Sequence, residues 1–383
     1  MADPSKLELS SSALRNNLEF IRNRIEPSTR ISAVVKANAY GHGIEQFVPM
    51  LESEGIHHFS VFSYQEALRV REAAGPNASV MIMGWLHDND LRTAISEGME
   101  FYISDLDRAR AAFLTARELR IPARVHFEIE TGMNRTGLRT RDISRLAQWQ
   151  MKEGAWFNTS GACTHLAGAE NVANFVRIRK QRLLFHRACR TLANNGIRPA
   201  IRHMACSAGI LNYPDTQLDL VRAGILLYGY WPSPETFIRH VIASQDRRDP
   251  LRRVIRWTSA VMSIKDVSAG DFIGYGSAYL ATDDRRIAII PVGYSDGFTR
   301  TLSNQGRVLI RGEAAPVIGL VNMNMLMADI TYLPAVQRND EVVLIGKQLD
   351  AEITVASFSE MSDRLNYEAL VRLPEHIHRT IVK

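Results

Sequence analysis

Ile31-Ser-Ala-Val-Val35-Lys36-Ala-Asn-Ala-Tyr40-Gly41-His42-Gly43 is the stretch on which the reading of the fold turns. Ile31–Val35 is a short apolar, β-branched run, which predicts a buried strand. Ahead of it Leu14, Leu18, Ile21 and Ile25 recur at helical spacing, so an amphipathic helix precedes the strand. Behind it, two glycines flanking a histidine allow a sharp turn into the next helix. Similar short runs follow at His58–Phe62, Val80–Met83, Phe101–Ile103, Val125–Ile129, Thr159–Thr164, Arg202–Ala205 and Ile225–Tyr228. Helical patterns such as Gln65–Ala73, Leu106–Leu119 and Asn171–Ala193 lie between them. Strands and helices in this alternation predict an α/β fold, a parallel (β/α)8 TIM-like barrel rather than an open sheet.

The pattern changes after Trp231-Pro-Ser-Pro234. Gln245–Arg253 is polar and highly charged and reads as a linker. Beyond it come β-like runs at Trp257–Ile264, Ile287–Val292, Arg307–Ile310, Val317–Val321 and Glu341–Ile345, punctuated by Gly and Asp, with one helical pattern at Thr354–Leu365. The expected division is a barrel over 1–243 and a mostly-β domain over 244–383. The first stretch of chain, to about residue 10, is expected to pack with the β domain.

The 383 residues are 46% hydrophobic and 23% charged, with a formal net charge of +5. Lys and Arg are scattered, which argues against a nucleic-acid partner. Three cysteines, Cys163, Cys189 and Cys206, lack metal or disulfide spacing, so neither a zinc site nor a disulfide framework is expected, and a reducing compartment fits. No run is apolar enough to span a bilayer, and Met1-Ala-Asp-Pro-Ser-Lys6 does not open a signal peptide. The expectation is a cytoplasmic enzyme without metal or membrane partner.

Lys36 stands where the first strand ends. In a (β/α)8 barrel, reacting groups project from the C-terminal ends of strands. A desolvated lysine there has its pKa lowered, as an amine that forms a Schiff base requires.

The segment Val34-Val35-Lys36-Ala37-Asn38-Ala39-Tyr40-Gly41-His42-Gly43 resembles the signature of the alanine racemase family, and further matches cover most of the chain. The resemblance implies that Lys36 carries pyridoxal 5′-phosphate covalently. Glu130-Thr-Gly-Met-Asn-Arg135-Thr-Gly137 resembles the family segment with a substrate-facing arginine, and a guanidinium holds a carboxylate or tyrosinate by directed, charge-assisted bonds. Thr164-His165 resembles the strand end whose histidine lies beside the cofactor ring and hydrogen-bonds the arginine on the pyridine nitrogen. That arginine is implied to be Arg222, in Val221-Arg-Ala-Gly224-Ile225. The resemblance assigns the phosphate to Ser207, Tyr40, Tyr367 and the amides of Gly224 and Ile225, groups that suit an anion.

Arg222 discriminates between reactions. A guanidinium stays protonated and so disfavours a second positive charge on the ring nitrogen. Charge then stays nearer Cα and the proton returns there, which suits racemisation. Barrel decarboxylases of similar build place a glutamate at this position.

Racemisation needs a proton-handling group on each face of Cα. Gly274-Tyr275-Gly276 resembles the motif of the base opposite Lys36, which in the family comes from the other subunit of a homodimer. Cations such as Arg135 and His165 would have to favour its ionised form. Gly293-Tyr294-Ser-Asp-Gly297 resembles a segment lining the substrate pocket, and the peptide NH of Met323 is implied to bind the substrate carboxylate. The family's role, supply of D-alanine for the bacterial cell wall, is implied with it.

Two departures stand out. Many family members have a carbamylated lysine at the position of Glu128, so Glu128 is expected to replace that carbamate and pair with Arg135. Asn322 and Asn324 stand where the family has a cysteine and an aspartate flanking the methionine, which removes a negative charge and suggests a wider substrate range. The alternatives are a serine or broad-specificity racemase of the same fold and a non-catalytic PLP-carrier barrel.

Overall fold

The computed structural model describes residues 4–153, 156–244, 246–333, 335–360 and 366–383. The chain divides into two compact units, Ala13–Ala37 with Phe47–Arg252, and the N-terminal segment to Ser12 with Asn38–Gln46 and Arg253–Lys383.

β1 (Ser5–Ser10) belongs to the second unit. The first unit is built on β2 (Arg30–Val34), β3 (His58–Ser63), β4 (Ser79–Trp85), β5 (Glu100–Ile103), β6 (Ala123–Glu128), β7 (Phe157–Cys163), β8 (Ile201–His203) and β9 (Leu220–Ala223). These eight strands form one parallel sheet in the order β9-β2-β3-β4-β5-β6-β7-β8. The two ends of that order meet. Arg222 donates its amide to the Ala205 carbonyl at 2.9 Å and Asp219 to that of Arg202 at 3.1 Å, and Cys206 bridges Arg222 in parallel. The sheet is therefore a nearly closed barrel, with helices such as Tyr64–Ala73, Leu106–Leu119 and Phe175–Asn194 between its strands.

The eighth strand departs from expectation. Ile225–Tyr228 is a run of turns, closed by Leu227 N–H to Gly224 O at 2.8 Å and Tyr228 N–H to Ile225 O at 3.2 Å. The strand is Leu220–Ala223, just before it. The turn looks strand-like because all four side chains are buried. Its polar groups are satisfied internally, as burial demands: the Tyr228 hydroxyl donates to Val34 O at 2.8 Å, and the Asn17 amide to Leu227 O at 3.1 Å.

The barrel is closed to water on both faces, so parallel strands read as apolar runs. β9 is buried at every position despite Arg222. Ser32, Ser60, Glu100, His126 and His203 are also buried. His126 on β6 bonds His203 on β8 and Glu100 on β5 bonds His58 on β3, each pair skipping a strand, so these side chains occupy the barrel interior.

The second unit carries β10 (Ile255–Ala260), β11 (Ser263–Val267), β12 (Arg285–Ile290), β13 (Arg307–Ile310), β14 (Glu313–Ile318), β15 (Leu326–Asp329), β16 (Glu341–Gln348), β17 (Ala351–Ile353) and β18 (His378–Val382). Their order is β11-β12-β15-β14-β13-β16-β10-β1-β18, with β17 on β16. β1 pairs antiparallel with β10 and parallel with β18, so the first and last strands described are neighbours in this sheet. The run Trp257–Ile264 is split between β10 and β11, and Val317–Val321 is the end of β14 and the loop after it. A helix occupies Val355–Glu360, and residues 361–365 of the expected helix lie outside the described residues.

Candidate active site

Lys36 stands two residues past the last residue of β2, at the C-terminal end of the barrel strands. The chain after it takes an uncommon path. Ala37, Asn38, Ala39 and Tyr40 all have φ between 51 and 53°. That is one left-handed turn made by non-glycine residues, which costs free energy at each position. A carboxylate holds its start: Glu66 accepts from the Ala37 amide at 2.6 Å and from the Phe62 amide at 2.9 Å. Glu66 also closes the capping box of the helix Tyr64–Ala73 with Ser63. One side chain therefore starts that helix and fixes the backbone behind Lys36.

Lys36 is half-buried. Burial pushes its amine below the ordinary lysine value, Arg135 pushes it further, and Glu66 opposes both. His165 is pushed down to about 3 by burial, then by Arg222, Arg135 and Lys36. These four groups thus share one field at the C-terminal ends of β2, β6, β7 and β9. At that value the His165 ring is neutral at neutral pH, where the sequence reading had it as a cation.

Arg222 is buried and held by both terminal nitrogens. Its Nη1 donates to His203 Nδ1 at 2.6 Å, and its Nη2 to the carbonyls of Thr164 at 2.9 Å and Met204 at 3.0 Å. The histidine hydrogen-bonded to Arg222 is therefore His203, where the sequence suggested His165. His203 ends β8 and reaches Arg222 across the barrel seam, whereas His165 lies beyond the end of β7 and feels the charge of Arg222.

Ser207 opens the short helix Ser207–Asn212 and its Oγ accepts from the Gly224 amide at 3.0 Å. The next residue, Ile225, begins the buried turn. Hydroxyl and amides are thus gathered at one point of the barrel's rim.

Glu128 is buried, and burial raises its carboxyl pKa against the opposing pull of Thr136, Arg135 and Arg222. The expected direct pair with Arg135 is not made among the described residues. The carboxyl lies in the field of both guanidinium groups, and Arg135 itself is exposed.

In the second unit, Tyr40 is buried and its ring lies 6.1 Å from that of Tyr367, centroid to centroid. Tyr275 is 72% exposed, on a loop between β11 and β12 where Gly274, Gly276 and Ser277 have positive φ. Tyr294 and Met323 are also exposed, and their segments are laced together. Tyr294 N–H donates to Asn322 O at 3.0 Å, Ser295 N–H to Met323 O at 3.0 Å, and the Asn324 amide to Ser295 Oγ at 2.9 Å. The Met323 amide has no partner among the described residues. Gly293 makes the approach possible: a Cβ there would lie 2.2 Å from Asn322 O and 2.3 Å from Met323 O.

Two functional side chains escaped the sequence reading, Glu66 and His203. Ser63-Tyr-Gln-Glu66 carries the S-x-x-E capping signature, so Glu66 had a legible structural role. A lone histidine at a strand end gave no comparable signal for His203.

The family model described as "Alanine racemase, N-terminal domain" matches residues 9–232, and "Alanine racemase, C-terminal domain" matches 254–381. The alanine racemase of Syntrophobacter fumaroxidans is 36% identical over 95% of this chain and 94% of its own length. The alanine racemase structure from Clostridium difficile 630 matches with a TM-score of 0.91 at 30% identity, covering 100% of this chain and 96% of that one. The alanine racemase structure from Bacillus anthracis with bound L-Ala-P matches with a TM-score of 0.90 at 27% identity, covering 100% and 96%. Both domains match in order and relatives align along nearly the whole length, so this chain belongs to the alanine racemase family.

Proposed function

We propose that Lys36 and Tyr275 are the two bases of this chain's reaction, the interconversion of L- and D-alanine. The observation that carries the reading is the shared field of Lys36, Arg135, His165 and Arg222 at one end of the barrel.

The residues present fit pyridoxal 5′-phosphate. A desolvated amine at a strand end suits covalent attachment to an aldehyde. A buried guanidinium with a fixed orientation suits a ring nitrogen that accepts a hydrogen bond. Ser207 Oγ and the Gly224 amide, 3.0 Å apart, together with the Ile225 amide, suit a phosphate. Tyr40 and Tyr367 take the phosphate by family resemblance. When bound, the cofactor supplies an electron sink that acidifies the Cα–H of the amino acid.

Each side chain then has a task. Lys36 holds or releases a proton at Nζ on one face of Cα, and its lowered pKa lets it be neutral at lower pH than an ordinary lysine. Tyr275 does the same at its phenol oxygen on the other face. Arg222, a permanent donor, disfavours protonation of the ring nitrogen and so keeps charge near Cα, where the proton must return. Arg135 and the Met323 amide hold the substrate carboxylate, Tyr294 lines the pocket, and Glu128 tempers the positive field around Arg135 and Arg222.

Tyr275 is exposed in the single chain. A base must work out of bulk water, so the reading includes a homodimer in which the partner subunit's Tyr275 completes the site. Purified protein with pyridoxal 5′-phosphate should convert L-alanine to D-alanine; a protein that binds the cofactor and racemises nothing would be a carrier.

Asn322 and Asn324 support a second reading of substrate range. Asn324 donates to Ser295, a bond a carboxylate cannot donate, and carries no charge where the family has an aspartate. L-Serine and L-lysine should then be turned over beside L-alanine, and strict preference for alanine would refute the wider range.

A further inference from the structure

A chain of hydrogen bonds runs through the barrel interior from the guanidinium of Arg222. Arg222 Nη1 lies 2.6 Å from His203 Nδ1. His203 Nε2 lies 2.9 Å from His126 Nδ1. His126 Nε2 lies 2.9 Å from Glu100 Oε2. The same Glu100 oxygen lies 3.1 Å from His58 Nε2, and His58 Nδ1 is 2.8 Å from Ser32 Oγ. Arg124 pairs with the other oxygen of Glu100. His203 is the last residue of β8, and Glu100 is the first of β5. The path therefore crosses the barrel from the end that carries Lys36 to the opposite end.

Between Arg222 and Glu100 the direction of every proton is forced. A guanidinium can only donate, so His203 Nδ1 must accept. A neutral imidazole carries one N–H, so the His203 proton is on Nε2 and points at His126. His126 Nδ1 must then accept, which puts the His126 proton on Nε2, facing Glu100. Glu100 closes the path as an acceptor. Partner chemistry alone places these hydrogens, and no other arrangement of neutral rings satisfies every bond. A proton added to either ring would set two donors against each other.

The surroundings agree with this order. Burial drives His203 and His126 toward the neutral form. Burial raises the Glu100 carboxyl, but the hydrogen bonds from His126 and His58 outweigh it and leave it well below the usual carboxylate range. A positive charge at one end and a negative charge at the other are thus joined through two neutral rings in a medium of low dielectric, where such chains reinforce one another.

We propose that Glu100, His126 and His203 form a one-way hydrogen-bond wire that positions Arg222, with Glu100 as its distant acceptor end. Glu100 and His126 touch neither substrate nor cofactor. They are positioning residues, fixing the tautomer that His203 offers to Arg222 and, through it, the aim of the guanidinium. The inference rests on the reading of Arg222 as the residue on the ring nitrogen.

Two measurements test it. Nitrogen-15 NMR of histidine-labelled wild-type protein, without cofactor, at pH 7 should show His126 and His203 neutral with the proton on Nε2. A proton on Nδ1, or on both nitrogens, of either ring overturns the wire. Glu100→Gln keeps an acceptor for His126 but removes the charge. In the folded, cofactor-loaded variant kcat for alanine should fall roughly tenfold with KM within about twofold, and the absorbance band of the bound cofactor should shift. A folded variant with wild-type kcat and band overturns the positioning role. The NMR result does not depend on the reaction, so a wild-type protein that lacks racemase activity would sink the functional reading and leave the wire standing.

Discussion

Arg222 Nη1 lies 2.6 Å from His203 Nδ1, across the seam where the first and last strands of the barrel order meet. The bond couples barrel closure to the orientation of one guanidinium. Two backbone carbonyls, of Thr164 and Met204, hold its other nitrogen. Arg222 thus has little freedom to follow its ligand; the ligand must come to it.

His203→Phe should be among the most damaging substitutions in the barrel. It orphans a donor of Arg222 and the Nδ1 acceptor of His126, both buried. Losing a hydrogen bond to a buried charge costs about 2–4 kcal/mol. Urea unfolding measures this, and His203→Gln, which can still accept, should recover part of the loss.

His165 gives the folded chain an acid-sensitive window. Its pKa falls from 6.5 to about 3, mainly through burial and then through Arg222, Arg135 and Lys36. Above pH 6.5 the ring is neutral folded or unfolded, and its stability contribution is complete. As pH falls toward 3 the unfolded chain takes up a proton that the folded chain refuses, so stability is lost at up to ~1.4 kcal/mol per pH unit. His165→Asn should flatten the slope between these limits by about one proton, read from unfolding at several pH values.

Gly293→Ala should displace the Asn322–Asn324 loop. The added Cβ would lie 2.4 Å or closer to the carbonyl groups of Asn322 and Met323, atoms that belong to backbone and cannot rotate away. We expect a loss of about 2–4 kcal/mol in stability and a higher KM for alanine, since the Met323 amide moves with the loop. Thermal unfolding and steady-state kinetics check the two effects.

Glu128→Gln separates a field effect from a contact. Glu128 acts on Arg135 without a direct ion pair. Removing its charge should raise KM for alanine by roughly threefold to tenfold and change kcat less. An unchanged KM would show that the charge is not used to tune the carboxylate site.

Much of this was legible in the sequence, for physical reasons that can be named. The β2 run and Lys36 stood out because an isolated charge ends a buried strand. Leu106–Leu119 was legible to the residue because its periodicity is clean and Asp105 caps it. The eighth strand was misplaced because a buried turn and a buried strand have the same composition, and only hydrogen bonds tell Ile225–Tyr228 from Leu220–Ala223. In the second unit, β15 is only four residues long and β18 is exposed at all but Arg379, so neither announces itself. His203 was hidden because its partner is distant in sequence, and the wire to Glu100 joins residues from β5, β6, β8 and β9 that no local pattern connects.

The two-base assignment is tested most directly by Tyr275→Phe, with Cα–H exchange into deuterated water followed separately for each alanine enantiomer. If Lys36 serves one face and Tyr275 the other, the variant keeps the absorbance of bound cofactor, loses most racemisation, and exchanges the Cα proton of one enantiomer far faster than that of the other. Racemisation at the wild-type rate, with equal exchange from both enantiomers, would contradict it.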